Sequence, residues 1–206
     1  MTAKQFFKST AFKCIVTLFS ILLVCGVFLT IMYGFLEVTD EEKFARAVQK
    51  IYGKSVKTEE IKLDGLKTSF DYSSVDEAYK VLDDGNYLVK VTGKEGFGGS
   101  VTCWVVVMMG EDGDSNPSID GIMKIVIDSA PGESYISKIS QGALDSLASK
   151  AEYGKELEGG YKHGSQQKGD DYISTGASYS MRAISNCVNG AMEFTALYLE
   201  AQNEQV

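Results

Sequence analysis

Between Cys14 and Leu36 the chain runs for 23 residues without a charge (CIVTLFSILLVCGVFLTIMYGFL), bracketed by Lys13 and Glu37. About 20 apolar residues in a helix cross the hydrocarbon of a bilayer, so this stretch predicts one transmembrane helix over 14–36. A cleaved signal peptide would have a shorter apolar core, about 7–15 residues, ending at a small-x-small site. Thr30–Phe35 (TIMYGF) offers no such site. Lys4, Lys8 and Lys13 precede the span and no acid occurs among the first 36 residues. Positive charge stays inside, so residues 1–13 are expected in the cytoplasm and residues 37–206 outside it.

What remains is enough for one folded domain. Of 206 residues, 44% are apolar and 23% charged, which is ordinary for a globular chain. Removing the three leading lysines from 20 basic residues leaves 17 against 28 acids, so the outer part carries about −11. That excess disfavours nucleic acid and anionic lipid surfaces as partners. Cys14 and Cys25 fall inside the span as packing residues, while Cys103 and Cys187 leave room for one disulfide in an oxidising compartment. Their spacing has no metal-ligand character, and the one histidine, His163, sits among Gly, Lys and Ser as a loop residue. With no partner for His163 in sequence and no carboxylate singled out, no acid–base pair or hydrolase triad emerges.

The outer part reads as α+β. Thr39-Asp-Glu-Glu42 has the hydroxyl and acids of a helix start, with Phe44, Val48 and Ile51 on one face before Gly53, so a juxtamembrane helix and lead-in are expected over 37–78. Residues 55–63 alternate loosely as a short strand. The Asp83–Asn86 turn launches a strand over Tyr87–Val91, and Val101–Met109 is apolar on both faces, as a doubly buried strand would be. Ile119–Ile127 returns beside it, giving an antiparallel hairpin across the acidic connection Gly110–Pro117. Apolar residues at helical spacing predict a helix over Ser134–Lys150 with Ser134 as cap, and residues 154–170 form a Gly- and Lys-rich loop. A long helix from Ser178 to about Gln202 ends the chain. The Gly93–Gly99 run precedes a strand, so it lacks the helix N-terminus that a Rossmann or Walker loop requires.

The chemistry concentrates at Asp171-Tyr-Ile-Ser-Thr-Gly-Ala-Ser178, where a hydroxyl-rich turn runs into that last helix. A helix N-terminus exposes unpaired N–H groups and about half a positive charge, and so accepts an anion. Gly176 permits close backbone approach, and Ser174, Thr175, Ser178 and Ser180 crowd hydroxyls around one spot. The plainer possibility is that Ser178 or Thr175 is only the helix cap.

Ser174-Thr-Gly-Ala-Ser178-Tyr-Ser180, with Arg182-Ala-Ile184 and Val188, resembles the flavinylation motif of the FMN-binding-domain proteins. That family includes the G subunit of Rnf-type electron-transport complexes and the C subunit of sodium-pumping NADH:quinone reductases. The resemblance spans roughly residues 79–200 and extends to Gly93–Gly99, similar to the family's glycine turn before a central strand, and to Pro131-Gly132. It implies an extracytoplasmic FMN-binding domain over 79–206, with a mainly antiparallel sheet packed by helices, on a prokaryotic cell membrane. FMN would be joined covalently through a phosphoester to Ser178, where the family usually carries Thr, by a separate flavin transferase recognising Asp171. Ser174, Thr175, Gly176, Ala177 and Ser180 would surround the phosphate, and Ala130, Pro131, Gly132 and Glu133 would face the ring. Ser129, Ala130, Glu133 and Ser134 differ from the family's residues there. The implied work is electron relay within a membrane complex between ferredoxin and NAD, coupled to Na⁺ or H⁺ transport, with the complex's other subunits as partners. The compact outer domain favours the Rnf-type subunit over the quinone-reductase one. Two further alternatives are a free-standing extracytoplasmic flavoprotein and a membrane-anchored interaction domain without redox chemistry.

Overall fold

The computed structural model describes residues 10–36, 39–111, 113 and 117–203, in two compact units, Met1–Phe44 and Ala45–Val206. In the first, α1 (Thr10–Leu36) is apolar throughout, and the window Phe12–Gly34 is long and apolar enough to cross a membrane. Its large side chains stay exposed, as they would facing lipid; a signal sequence passes the same test of length and composition. Helix α2 (Asp40–Tyr52) starts as expected, with Glu42 N–H donating to the Thr39 hydroxyl at 3.2 Å, and stops at Gly53, whose φ of +69° ends the helix.

The second unit is α+β, built on a five-stranded antiparallel meander in the order β1 (Thr58–Glu60), β2 (Ser73–Val81), β3 (Tyr87–Gly93), β4 (Val101–Glu111) and β5 (Pro117–Ser129). The expected β4–β5 hairpin is present, with Trp104 opposite Val126 and Val105 opposite Ile125. Its strands run further than the sequence suggests, so Gly110, Glu111 and Pro117 belong to the sheet. Within that acidic connection, residues 112 and 114–116 lie outside the described residues.

Strand β2 has no counterpart among the sequence expectations. Its inward positions include the small Ser73 and Ala78, and a bulge at Asp76 shifts the register between Val75 and Glu77, so no clean period of two is visible. With β1 and β2 in the sheet, the sheet-bearing unit takes in part of the expected 37–78 lead-in.

Strand β4 is buried on both faces. Cys103, Val105 and Val107 join the core beneath the C-terminal helix, while Trp104 and Val106 lie on the opposite face with Leu88 of β3 and Val126 of β5, all essentially inaccessible. Each fully buried aliphatic side chain of this kind contributes about 1.5–3 kcal/mol, which is why β4 and β3 form the rigid centre of the unit.

Two helices cover the Cys103 face. The expected helix over Ser134–Lys150 is instead a single 3₁₀ turn, Ile136–Lys138, followed by a break and α3 (Gln141–Ala148). The apolar stripe continues across both pieces, but Ser140 is extended and its hydroxyl accepts the Ala143 N–H at 3.2 Å; a cap in mid-stripe restarts the helix. Helix α4 (Ser178–Asn203) lies across β2 to β5. Its close seat depends on two glycines: a Cβ on Gly93 would stand 1.9 Å from the Ala183 carbonyl oxygen, and one on Gly190 2.2 Å from the Ser73 hydroxyl. Helix and sheet backbones therefore meet where side chains would normally separate them.

Candidate functional site

The N-terminus of α4 is built so that its first hydroxyl takes no part in capping the helix. Gly176 takes a φ of +73°, and the Thr175 hydroxyl accepts the Ala177 N–H at 3.1 Å, closing the turn. Ala177 occupies the cap position, its carbonyl accepting the first helical bond from Met181 N–H at 2.9 Å. Alanine has no capping oxygen. The N–H groups of Ser178, Tyr179 and Ser180 consequently have no hydrogen-bond partner among the described residues. Ser178 is the first residue inside the helix, and its Oγ lies 2.8 Å from the Tyr172 hydroxyl. Of the two capping candidates, only Thr175 does local structural work; Ser178 does none for the helix.

Ser178 opens into a cavity of about 360 Å³ lined by Phe97, Tyr135, Tyr161, Tyr172 and Tyr179, with Ser174, Gly176, Ala177 and Ser180 along the turn. The rings form one connected wall. Phe97 meets Tyr135 edge-on at 5.4 Å, Tyr179 lies 5.0 Å from Tyr161, and Tyr161 lies 6.0 Å from Tyr172. Tyr161 and Tyr172 are held by residues 157–173. Leu157 exchanges hydrogen bonds with the Asn189 amide of α4 at 3.0 and 3.2 Å, and Ile173 N–H donates to the Gly159 carbonyl. At Gly160 a Cβ would stand 2.3 Å from the Ser178 carbonyl oxygen, so the loop rests directly on the helix start. The lining contains no acid or base, so the cavity suits a planar, largely apolar group with one polar attachment point.

The Ala130–Glu133 segment is brought to the same end of the sheet but not into the cavity lining. Glu133, 4% exposed, accepts N–H bonds from Gly98 at 2.7 Å and Gly99 at 3.0 Å on one carboxylate oxygen, and the Ser180 hydroxyl on the other. Pro131 and Gly132 pack on Gly99 and Gly98, where any Cβ would collide with their carbonyl oxygens. Glu133 thus ties the glycine turn to α4, which holds Phe97 between them over the cavity. Asp171 is half-buried beside Tyr172 and lines no part of it.

The aromatic wall was not legible from sequence. Phe97, Tyr172 and Tyr179 stand within the motifs singled out there, but nothing in their spacing relates them to Tyr135 and Tyr161; only a concentration of tyrosines in aperiodic, Gly-rich segments marks them.

His163 lies outside the cavity. Its ring stacks on Tyr72 at 3.7 Å, and its Nδ1 meets the Glu95 carboxylate, which also faces Arg182 at 3.5 Å. Among the described residues no cluster of His, Cys, Asp and Glu is placed to hold a metal ion. A larger cleft of about 490 Å³ runs between α4 and residues 67–73 and 153–156, but it mixes lysines with acids and contains none of the turn residues. Cys103 and Cys187 are buried free thiols. Cys187 donates to the Val91 and Val101 carbonyls at 3.3 and 3.2 Å, and its hydrogen bond to Cys103, reinforced by burial, pushes the Cys103 thiol well above its usual range.

No protein-family model, curated protein or solved structure matches this chain.

Proposed function

We propose that the chain is a membrane-anchored flavoprotein that carries FMN through a phosphoester on Ser178 and relays electrons as the G-type subunit of an Rnf-like ion-translocating complex. The observation that carries this reading is the Ser178 hydroxyl, which makes no capping bond, pairs only with the Tyr172 hydroxyl and opens into an aromatic cavity at a helix start whose N–H groups are unsatisfied. A hydroxyl needed only for capping would be turned onto the helix; this one is not.

The residues present fit the group. The Ser178 hydroxyl supplies the esterifying oxygen, the N–H groups of residues 178–180 can meet phosphate oxygens, and the tyrosine wall can take a tricyclic ring by stacking. Bound FMN supplies one- and two-electron redox chemistry, which no side chain of this protein offers alone. The chain's part is to tether, orient and partly enclose. Tyr172 holds the Ser178 Oγ, Glu133 fixes Phe97 over the cavity, and the ester keeps the cofactor from dilution outside the cell. Helix α1 is read as an uncleaved anchor, with the three lysines before it in the cytoplasm and the sheet-bearing unit outside.

Attachment is tested in a denaturing gel of protein made with a flavin transferase present. Ultraviolet illumination should show a yellow-green band that vanishes in Ser178→Ala. A dark parent band would favour an anchored interaction domain. Gentle detergent extraction then separates the remaining readings: co-purifying membrane subunits support the complex, and a lone monomer supports a free-standing flavoprotein.

A further inference from the structure

Residues 94–100 link β3 to β4, a longer connection than the roughly 2–5 residues of most hairpins. Its backbone is tied down along most of its length. Lys94 N–H donates to the Tyr72 carbonyl at 2.8 Å, and the Lys94 carbonyl accepts the Asn186 amide at 2.9 Å. Glu95 takes a φ of +68°, the one positive value at a non-glycine residue among those described. Arg182 holds it there, donating to its carbonyl at 3.3 and 3.1 Å, while its carboxylate meets His163. Gly96 N–H donates to the Gly99 carbonyl at 3.0 Å, and Glu133 holds the N–H groups of Gly98 and Gly99. All three glycines lie so close to Pro131–Glu133 that a Cβ on any of them would collide with that segment.

The side chain this frame presents is Phe97. It is 60% exposed, whereas Phe70 and Phe194, the other phenylalanines of the sheet-bearing unit, are buried. Its ring lies between Tyr135, edge-on at 5.4 Å, and Tyr179 of α4, tilted at 6.1 Å, and with both it lines the cavity. An exposed phenylalanine alone is ordinary. A strained residue and three closely fitted glycines behind it are not, because a link between two strands requires neither.

From this placement we infer that Phe97 is a fixed cover for the bound ring system and decides which oxidant reaches it: the phenyl shields one face from solvent, so that the reduced cofactor loses electrons slowly to dissolved dioxygen and keeps them for a partner protein. The inference rests on the flavin reading and adds to it a choice of electron acceptor. The reaction held back moves two electrons and two protons from the reduced flavin to dioxygen, giving oxidised flavin and hydrogen peroxide. Dioxygen must reach the ring for this, and a packed aromatic neighbour excludes it as it excludes water. A second redox centre only has to come near, since electrons tunnel across an intervening side chain.

The test uses the full flavinylated chain in detergent, with Phe97→Ala and Phe97→Tyr beside the parent. The three carry the same charge, so the lifetime-corrected constant for iodide quenching of flavin emission compares access to the ring. Removing the phenyl uncovers one of the two faces of the ring system, and that constant should rise about 2-fold in Phe97→Ala. Reoxidation in air after photoreduction should quicken by about the same factor, and Phe97→Tyr should match the parent in both. The Phe97 side chain makes none of the turn's hydrogen bonds, so Phe97→Ala should melt close to the parent, which separates loss of the cover from loss of the turn. Equal quenching and equal reoxidation in the parent and Phe97→Ala overturn the inference, as does a Phe97→Tyr variant as open as the alanine one. Where the parent shows flavin in the denaturing gel and this equality as well, the flavin reading stands without the cover; a parent without flavin ends both.

Discussion

Replacing Glu133 removes the one group that joins the glycine turn to α4, and the cost can be worked out donor by donor. In Glu133→Ala the N–H groups of Gly98 and Gly99 and the Ser180 hydroxyl lose their acceptor together. Gly98 and Gly99 are exposed, so water can replace the carboxylate there, and the loss is the net value of charge-assisted bonds, about 1.5–3 kcal/mol in all. Ser180 is fully buried, and its stranded hydroxyl costs about 1–3 kcal/mol more. Together these come to about 2.5–6 kcal/mol, which for a unit of this size lowers Tm by about 5–24 °C. Glu133→Gln keeps a carbonyl oxygen for the two N–H groups and an amide that can donate to the Ser180 oxygen, so it should cost less than half as much. Thermal unfolding of the full chain in detergent, followed by circular dichroism, reads both. A Glu133→Ala variant within about 2 °C of the parent, or a Gln variant as damaged as the Ala one, would refute the clamp.

Gly93→Ala should be worse than its size suggests, because the added methyl meets the Ala183 carbonyl and must lift α4 from the sheet; a loss above about 3 kcal/mol in urea unfolding is expected, and near-neutrality would contradict the close seat. Cys103 and Cys187 should resist a thiol-labelling disulfide reagent in the folded chain and both react once it is denatured; rapid labelling of the folded state, or none after denaturation, would contradict buried free thiols. Burial, with Glu77 beside it, pushes the Tyr79 hydroxyl up to about 12, and burial raises Tyr87 and Tyr198 as well. Since these phenols ionise near 10 when unfolded, the stability they lend is complete below that pH and is lost as pH climbs towards 12, a slope that alkaline unfolding curves should show. A flat profile across that window would speak against the burial of these rings.

Period and punctuation carried much of this fold. The uncharged span, Thr39 with its acids, and the doubly apolar β4 announced themselves because burial on one stripe, or on two faces, leaves a direct imprint on residue type. Strand β2 did not, since Ser73 and Ala78 are small where α4 comes close and the bulge at Asp76 interrupts its period. The stripe over Ser134–Lys150 misled in another way: it records which residues face the core and says nothing of the break at Ser140. At the site, Ser178 and its turn were visible as local sequence, whereas the aromatic wall is assembled from four separate segments and exists only after folding. Glu133 shows what local sequence leaves out: that its carboxylate accepts from Gly98, Gly99 and Ser180, and so joins the glycine turn to α4, depends on three segments distant along the chain.

The central claim is tested most directly by intact mass of the full chain produced with a flavin transferase, alongside Ser178→Ala. One added FMN, less the water lost in forming the ester, should appear on the parent and be absent from the variant. An unmodified parent, made with a transferase that flavinylates another substrate in the same cells, would contradict the account, as would an adduct that persists without Ser178.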